Sequence, residues 1–260
     1  MAYLHAKLAR MKGGIPVVLS AEQFGSFLGL PITNTLLMSW VVLAILIVVG
    51  LLVGKRLKMT PSRIQLLFEW LVEFVYDYIA ETLESRVLAR KFFPYLTTVF
   101  LFVFTANLIE FTPGIGSLGF THEGEFLPLL RSMNTDLNVT LMLAILSFLV
   151  IEITGILVVG AMKYGGKFLN FRGGAVGFIV GIFEFISELS RIISFSFRLF
   201  GNIFAGEVLI LVIIFFLPYV APVPIMIFEL FVGFVQAAIF ALLTLFFIKI
   251  AIMEPHSEAH

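Results

Sequence analysis

Five stretches of this chain are apolar almost throughout for about 20 residues or more: 34–54, 92–111, 137–161, 182–217 and 225–253. A hydrocarbon core about 30 Å thick takes about 20 residues of helix at about 1.5 Å each, so each run can cross it. Strands of a membrane barrel would alternate apolar and polar residues; these runs do not. The sequence therefore predicts an all-α integral membrane protein. The residue balance agrees, with 60% hydrophobic and 13% charged residues against about 25% charged in soluble domains. Seventeen basic and 17 acidic residues argue against nucleic-acid binding. With no cysteine, disulfides and thiolate metal sites are excluded. His5, His122, His256 and His260 sit near chain ends or in a loop, so no metal or cofactor is expected. Pro16, Ser20, Glu22 and Gly25 interrupt any signal-peptide core.

Charge placement orients the spans. The first ends in Lys55, Arg56, Lys58 and Arg63; such loops stay inside, which puts the N-terminus outside. Residues 1–33 form a separate N-terminal segment, either at a membrane surface or a partly ordered tail, and 34–260 form one membrane domain. Within 61–88, Ile64, Leu67, Phe68, Leu71, Val75, Tyr78 and Ile79 recur at three or four residues, predicting an interfacial amphipathic helix. Glu69, Glu73, Asp77 and Glu81 form a ladder on another face. Either that face meets a protein partner or it is simply solvated. The glycine-rich loop 112–135 carries Arg131 against Glu123 and Glu125, as an outside loop should. Lys163, Lys167 and Arg172 return the chain inside; Gly165, Gly166, Gly173 and Gly174 there read as turn-forming and lack phosphate-loop spacing. No nucleotide chemistry is expected in this chain, and no enzyme activity of its own. The segments 182–217 and 225–253 are about 54 Å and 44 Å long as helices. Both exceed a perpendicular crossing, so they tilt strongly or run partly along the interface. Pro218, Pro222 and Pro224 mark the outer turn between them, and 254–260 is a short inside tail.

Charge at bilayer depth is the second constraint. It costs at least about 2.5–3.5 kcal/mol on insertion scales and by default marks function. Residues 194–209, SFSFRLFGNIFAGEVL, hold Arg198, Asn202 and Glu207 in an apolar run. At about 100° per residue, Glu184, Arg191 and Asn202 fall within roughly 40° of Arg198, and Glu207 points to the opposite face. In the last segment Glu229 and Gln236, seven residues apart, share a face. Asp136 opens the third span, either as a helix cap or as part of an ion path. Glu152 sits about 24 Å further along that helix and is a path candidate. Glu184 and Glu188 are candidates for the inward exit, or structural partners of Arg191.

Arg198-Leu-Phe-Gly-Asn202, then Ala205-Gly-Glu207, then Glu229 and Gln236 on the next segment, resemble subunit a of the F-type ATP synthase. Pro31-Ile-Thr-Asn-Thr35 and Asp136-Leu-Asn138 extend the likeness over most of the chain from about residue 30. The resemblance implies five transmembrane helices plus one interfacial helix, the last two spans being long and tilted against a rotating ring of c subunits. It implies a stator subunit with two offset half-channels for protons. Arg198 would meet the ring's carboxylate, Asn202 and Gln236 would assist, and Glu207 would line the outer half-channel. The implied partners are the c-subunit ring, the b subunits of the peripheral stalk, the F1 sector indirectly, and lipid. The setting is a bacterial plasma membrane, with an organellar membrane as the alternative. Where some members carry histidine, this chain has Glu229, so an imidazole relay is in doubt. Glu207 and Glu229 would share a proton or, alternatively, hold a cation. A stand-alone transporter, with Arg198 binding an anion, competes as a function. It calls for paired broken helices in internal repeats, and none is found. A purely structural anchor leaves the charges at membrane depth without a reason.

Overall fold

The computed structural model describes residues 21–27, 30–58, 60–110, 119–122, 125–128, 130–168, 174–217 and 220–253. The expectations for 1–20, for much of the glycine-rich loop, for Arg172, Gly173 and Pro218, and for the tail 254–260 lie outside these residues. The helices are α1 (Asn34–Arg56), α2 (Arg63–Leu83), α3 (Arg86–Glu110), α4 (Leu137–Val159), the short α5 (Ala161–Gly165), α6 (Gly174–Phe216) and α7 (Pro222–Ile252). All but α2 and α5 are long and apolar enough to cross a bilayer. The protein is an all-α, multi-pass membrane protein.

Two hairpins were not foreseen. β1 (Gln23–Phe27) pairs antiparallel with β2 (Leu30–Thr33), and β3 (Gly119–His122) with β4 (Glu125–Pro128). Strands of four or five residues are too short to announce themselves by alternation. Helix ends also differ from the pattern. A helix read through residue 88 stops at Leu83, because Glu84 turns into the left-handed region at φ 52° and its N–H closes on the carbonyls of Ala80 and Glu81. Ser85 then caps α3, its Oγ accepting from Leu88 N at 3.3 Å. Gly174, read as a turn residue, is the first residue of α6, which runs 43 residues, about 64 Å. Pro222 and Pro224, read as turn residues, lie in the first turn of α7, where a missing N–H costs no helical hydrogen bond.

The chain groups into two compact units, to which α3, α4, α6 and α7 each contribute a part: unit 1 takes 1–60, 98–140 and 198–238; unit 2 takes 61–97, 141–197 and 239–260. In unit 1, α1 is buried only over its first turns, at Asn34, Thr35, Met38 and Val42; Leu43 to Val53 are largely exposed, as suits a face that meets lipid. Thr35 Oγ donates to Asp136 Oδ2 at 2.8 Å. Asp136 Oδ1 accepts from the Asn138 backbone N–H at 2.9 Å, so Asp136 caps α4 and ties its start to α1. In unit 2 the core joins Ile79 and Leu83 of α2, Phe92 and Leu96 of α3, Ile151 of α4, Tyr164 of α5, and Leu245 and Ile248 of α7. The first half of α2 is different: Leu66, Leu67, Phe68, Trp70 and Phe74 are exposed beside the acidic ladder.

Asp136→Ala should lower stability by roughly 1–2 kcal/mol, a lost cap plus a lost interhelical bond. Thr35→Ala should cost only the smaller part. Unfolding midpoints of the purified chain in detergent check this, and unchanged midpoints for both variants would contradict it.

Candidate functional site

Six of the candidate residues singled out by sequence, Asp136 among them, lie in unit 1. On α6, Arg198 and Ala205 are exposed and Asn202 is half-buried, whereas Leu199, Ile203 and Gly206 are buried. An arginine thus stands on an exposed face of a membrane-crossing helix. Glu207 is half-buried; its Oε2 lies 3.9 Å from Arg131 Nη2, the side chains being 28% and 12% exposed. That separation permits ionic attraction but is too long for a hydrogen bond, and Oε2 has no hydrogen-bond partner.

On α7, the buried stripe includes Glu229, Gly233, Gln236, Ala237 and Phe240. The Glu229 carboxylate rests against Gly206, where a Cβ would collide with both carboxylate oxygens. Glycine here lets the carboxylate reach the backbone beside Glu207. Gln236 is buried and its Nε2 has no hydrogen-bond partner. An amide network holds α7 at this level: Asn107 Nδ2 of α3 donates to the Gly233 carbonyl at 3.0 Å, and Asn134 Nδ2 donates to Asn107 Oδ1 at 2.6 Å. Ser132 Oγ donates to Glu110 Oε2 at 2.8 Å. Glu207 Oε2, Gln236 Nε2 and Asn134 Oδ1 have no hydrogen-bond partner within the protein, and each such atom costs about 1–3 kcal/mol if it stays unpaired.

The other candidates lie in unit 2. Glu188 is 2% exposed. Lys167 Nζ contacts Glu184 Oε1 at 2.6 Å and Glu188 Oε1 at 2.8 Å, and Arg191 Nη1 takes Glu188 Oε2 at 2.6 Å. The Arg191 guanidinium lies 4.4 Å from the centre of the Phe247 ring. Glu184 thus pairs with Lys167 where Arg191 was the partner considered from the sequence. Burial alone would depress the Lys167 ammonium, but its bonds to the two carboxylates hold it above the ordinary lysine value. Glu152 of α4 is half-buried, and its Oε1 has no hydrogen-bond partner.

Sequence reasoning placed the charges but missed their partners. Arg131 and Lys167 appeared only as loop cations, and Asn134 and Tyr164 not at all. Asn134 had one usable signal, being an amide at the edge of an apolar run. Among the described residues, no three His, Cys, Asp or Glu side chains converge where a metal ion could sit.

Residues 36–249 match the family model described as ATP synthase A chain. The chain belongs to the ATP synthase A chain family. Relatives agree along most of its length. ATP synthase subunit a of Campylobacter jejuni is 32% identical over 203 residues, 77% of this chain and 81% of the relative. That of Sulfurihydrogenibium sp. is 32% identical over 224 residues, 85% of this chain and 97% of the relative. That of Trichlorobacter lovleyi is 29% identical over 226 residues, 86% and 89% of the two chains. Arg198, Asn202, Glu207, Glu229 and Gln236 all fall within the part matched by the ATP synthase A chain family.

Gly206→Ala tests the contact between α6 and α7 in this family member. The added methyl should displace the Glu229 carboxylate and destabilise the chain by about 1–3 kcal/mol. Glu229→Ala in the same chain should restore most of the loss. A double variant no more stable than Gly206→Ala alone, by unfolding midpoint in detergent, would refute the contact.

Proposed function

We propose that this chain is the stator subunit that carries protons to and from the c-subunit ring of an F-type ATP synthase, through two offset half-channels, and so couples ion flow to ATP synthesis. Its partners in this reading are the c ring, the b subunits of the peripheral stalk and, through them, the F1 sector, where nucleotide chemistry occurs. The bacterial plasma membrane is the proposed location, as the bacterial relatives suggest.

The observation that carries this reading is the exposed Arg198 on α6. A charge facing lipid at bilayer depth is costly, so that face suits a partner bearing a carboxylate. The neighbouring Gly201, Asn202 and Ala205 are small, and a Cβ on Gly201 would meet nothing, so a second surface can come close. Arginine keeps its proton under desolvation. It can therefore draw a ring carboxylate into its ionised form and deny protons a direct route between the half-channels. Asn202 and Gln236 assist it by hydrogen bonding. On the outer side, Glu207 and Glu229 relay the proton, with Asp136 at the head of α4 as a lining residue. On the inner side, Glu152, Glu184 and Glu188 are the lining candidates. A stand-alone anion transporter loses ground to the family match.

The decisive experiment is ATP-driven acidification of vesicles holding the assembled complex. Arg198→Ala and Arg198→Lys should both lose pumping with assembly intact, because lysine can shed its charge or pair differently. Normal pumping in either assembled variant would overturn the assigned role. A second test uses Glu207→Gln, Glu229→Gln and the double variant. A shared proton predicts a double loss smaller than the product of the single losses, whereas simple additivity would separate the two residues.

A further inference from the structure

On the Lys/Arg-rich side of unit 2, α4 ends and Gly160, at φ 94°, turns the chain into α5. There Tyr164 folds back onto α4: a Cβ at Gly155 would collide with the phenol ring. Tyr164 is 4% exposed and belongs to the core of unit 2, yet its Oη has no hydrogen-bond partner. The same is true of Glu152 Oε1, three residues before Gly155. Burial first, and then the Glu152 carboxylate, push the Tyr164 phenol above its ordinary value, so the two groups act on each other without a direct bond of good geometry. The neighbouring carboxylates are already committed. Both oxygens of Glu188 are held by cations, and Glu184 is held by Lys167. Taking up a proton on Glu188 would mean giving up one of these two contacts. Glu152 has an oxygen that no cation holds.

We infer that Glu152 and Tyr164 form the proton-transfer pair of the inner half-channel, with Lys167, Glu184, Glu188 and Arg191 as the fixed ionic frame that positions them. This rests on the proposed half-channel function. A proton reaching the Glu152 carboxylate passes to the Tyr164 oxygen, directly or through one water. The phenol oxygen is buried, so its own O–H proton passes to a water entering beside it and from there to the inner side. Tyr164 ends neutral, Glu152 ends ionised and ready for the next proton, and no charge is left behind. A phenol is protonated at neutral pH, so Tyr164 is a donor there. Phe168 packs edge-on to Tyr164, with ring centres 6.0 Å apart, and Lys167 Nζ lies 5.8 Å from the Tyr164 ring centre, so the phenol is held in place for the transfer.

The test uses the assembled complex in vesicles and reads ATP-driven pumping and passive proton flux after F1 removal. Glu152→Gln should reduce both about a hundredfold, the lower end of a positioned proton-transfer group's contribution. Tyr164→Phe keeps the ring on Gly155 but removes the relaying oxygen, and should likewise reduce both about a hundredfold. Adding Tyr164→Phe to Glu152→Gln should cost nothing more, and Glu152→Asp should recover part of the flux. Glu188→Gln should instead impair assembly or stability. Wild-type flux in assembled Glu152→Gln would overturn the inference, as would a Tyr164→Phe loss that simply multiplies with the Glu152→Gln loss. Arg198→Ala, run alongside, separates the two levels. If it pumps, the half-channel function itself fails; if it is silent while Glu152→Gln pumps normally, only the present inference does.

Discussion

Helices in hydrocarbon gain no hydrophobic energy by packing on one another, because lipid tails are as apolar as leucine. The polar side chains turned inward therefore decide how the helices of each unit fit together. In unit 1 these are the bond from Thr35 to the cap residue Asp136 and the chain from Asn134 through Asn107 to the Gly233 carbonyl. In unit 2 they are the bond between Tyr95 and Ser147 at 3.0 Å and the Lys167–Glu184–Glu188–Arg191 frame. Each such bond is worth about 0.6 kcal/mol on average, but its alternative is a polar group facing lipid. That alternative makes the contacts specific even where they are weak.

The same constraint explains what could be read in advance. Length and apolarity alone mark a membrane-crossing helix, so the helical class was plain from the residue runs. The faces were not. Along α4, the buried positions Thr140, Ala144, Ser147, Ile151 and Thr154 are on the whole less apolar than the exposed Leu141, Met142, Leu149 and Leu157. A rule that sends apolar residues inward fails when the solvent is itself apolar. The start of α6 was missed because Gly174 and Gly177 are weak helix formers and Gly174 read as a turn residue, although the helix includes both.

The candidate site was legible in proportion to charge. Arg198, Glu207, Glu229 and Gln236 stand out because polar groups at membrane depth are rare. Their surroundings could not be read, since no spacing in sequence brings Arg131 to Glu207 or Lys167 to Glu188. Nor does it reveal that Gly206 is where the Glu229 carboxylate comes to rest. Helical spacing did indicate that Glu229 and Gln236 share a stripe, because a seven-residue step returns to nearly the same face.

The candidate acidic groups are held in two ways, tightly paired or loosely. In unit 2 the cations of Lys167 and Arg191 neutralise Glu184 and Glu188 at contact distances of 2.6 and 2.8 Å. In unit 1 the pair of Arg131 and Glu207 is stretched to 3.9 Å, and Glu229 lies against backbone. A proton carrier must be able to exist in both charge states at modest cost, and a tight salt bridge removes that freedom by favouring one state. Loose or unpaired carboxylates keep it. On this physical ground the proposed relay runs through Glu207, Glu229 and Glu152, and the tightly paired acids serve as scaffold. Arg198 is the complement of such a relay: its charge is permanent and its face is exposed. In the proposed function, what changes beside it is the charge of the passing partner, the condition under which a fixed arginine can drive a moving carboxylate to release its proton.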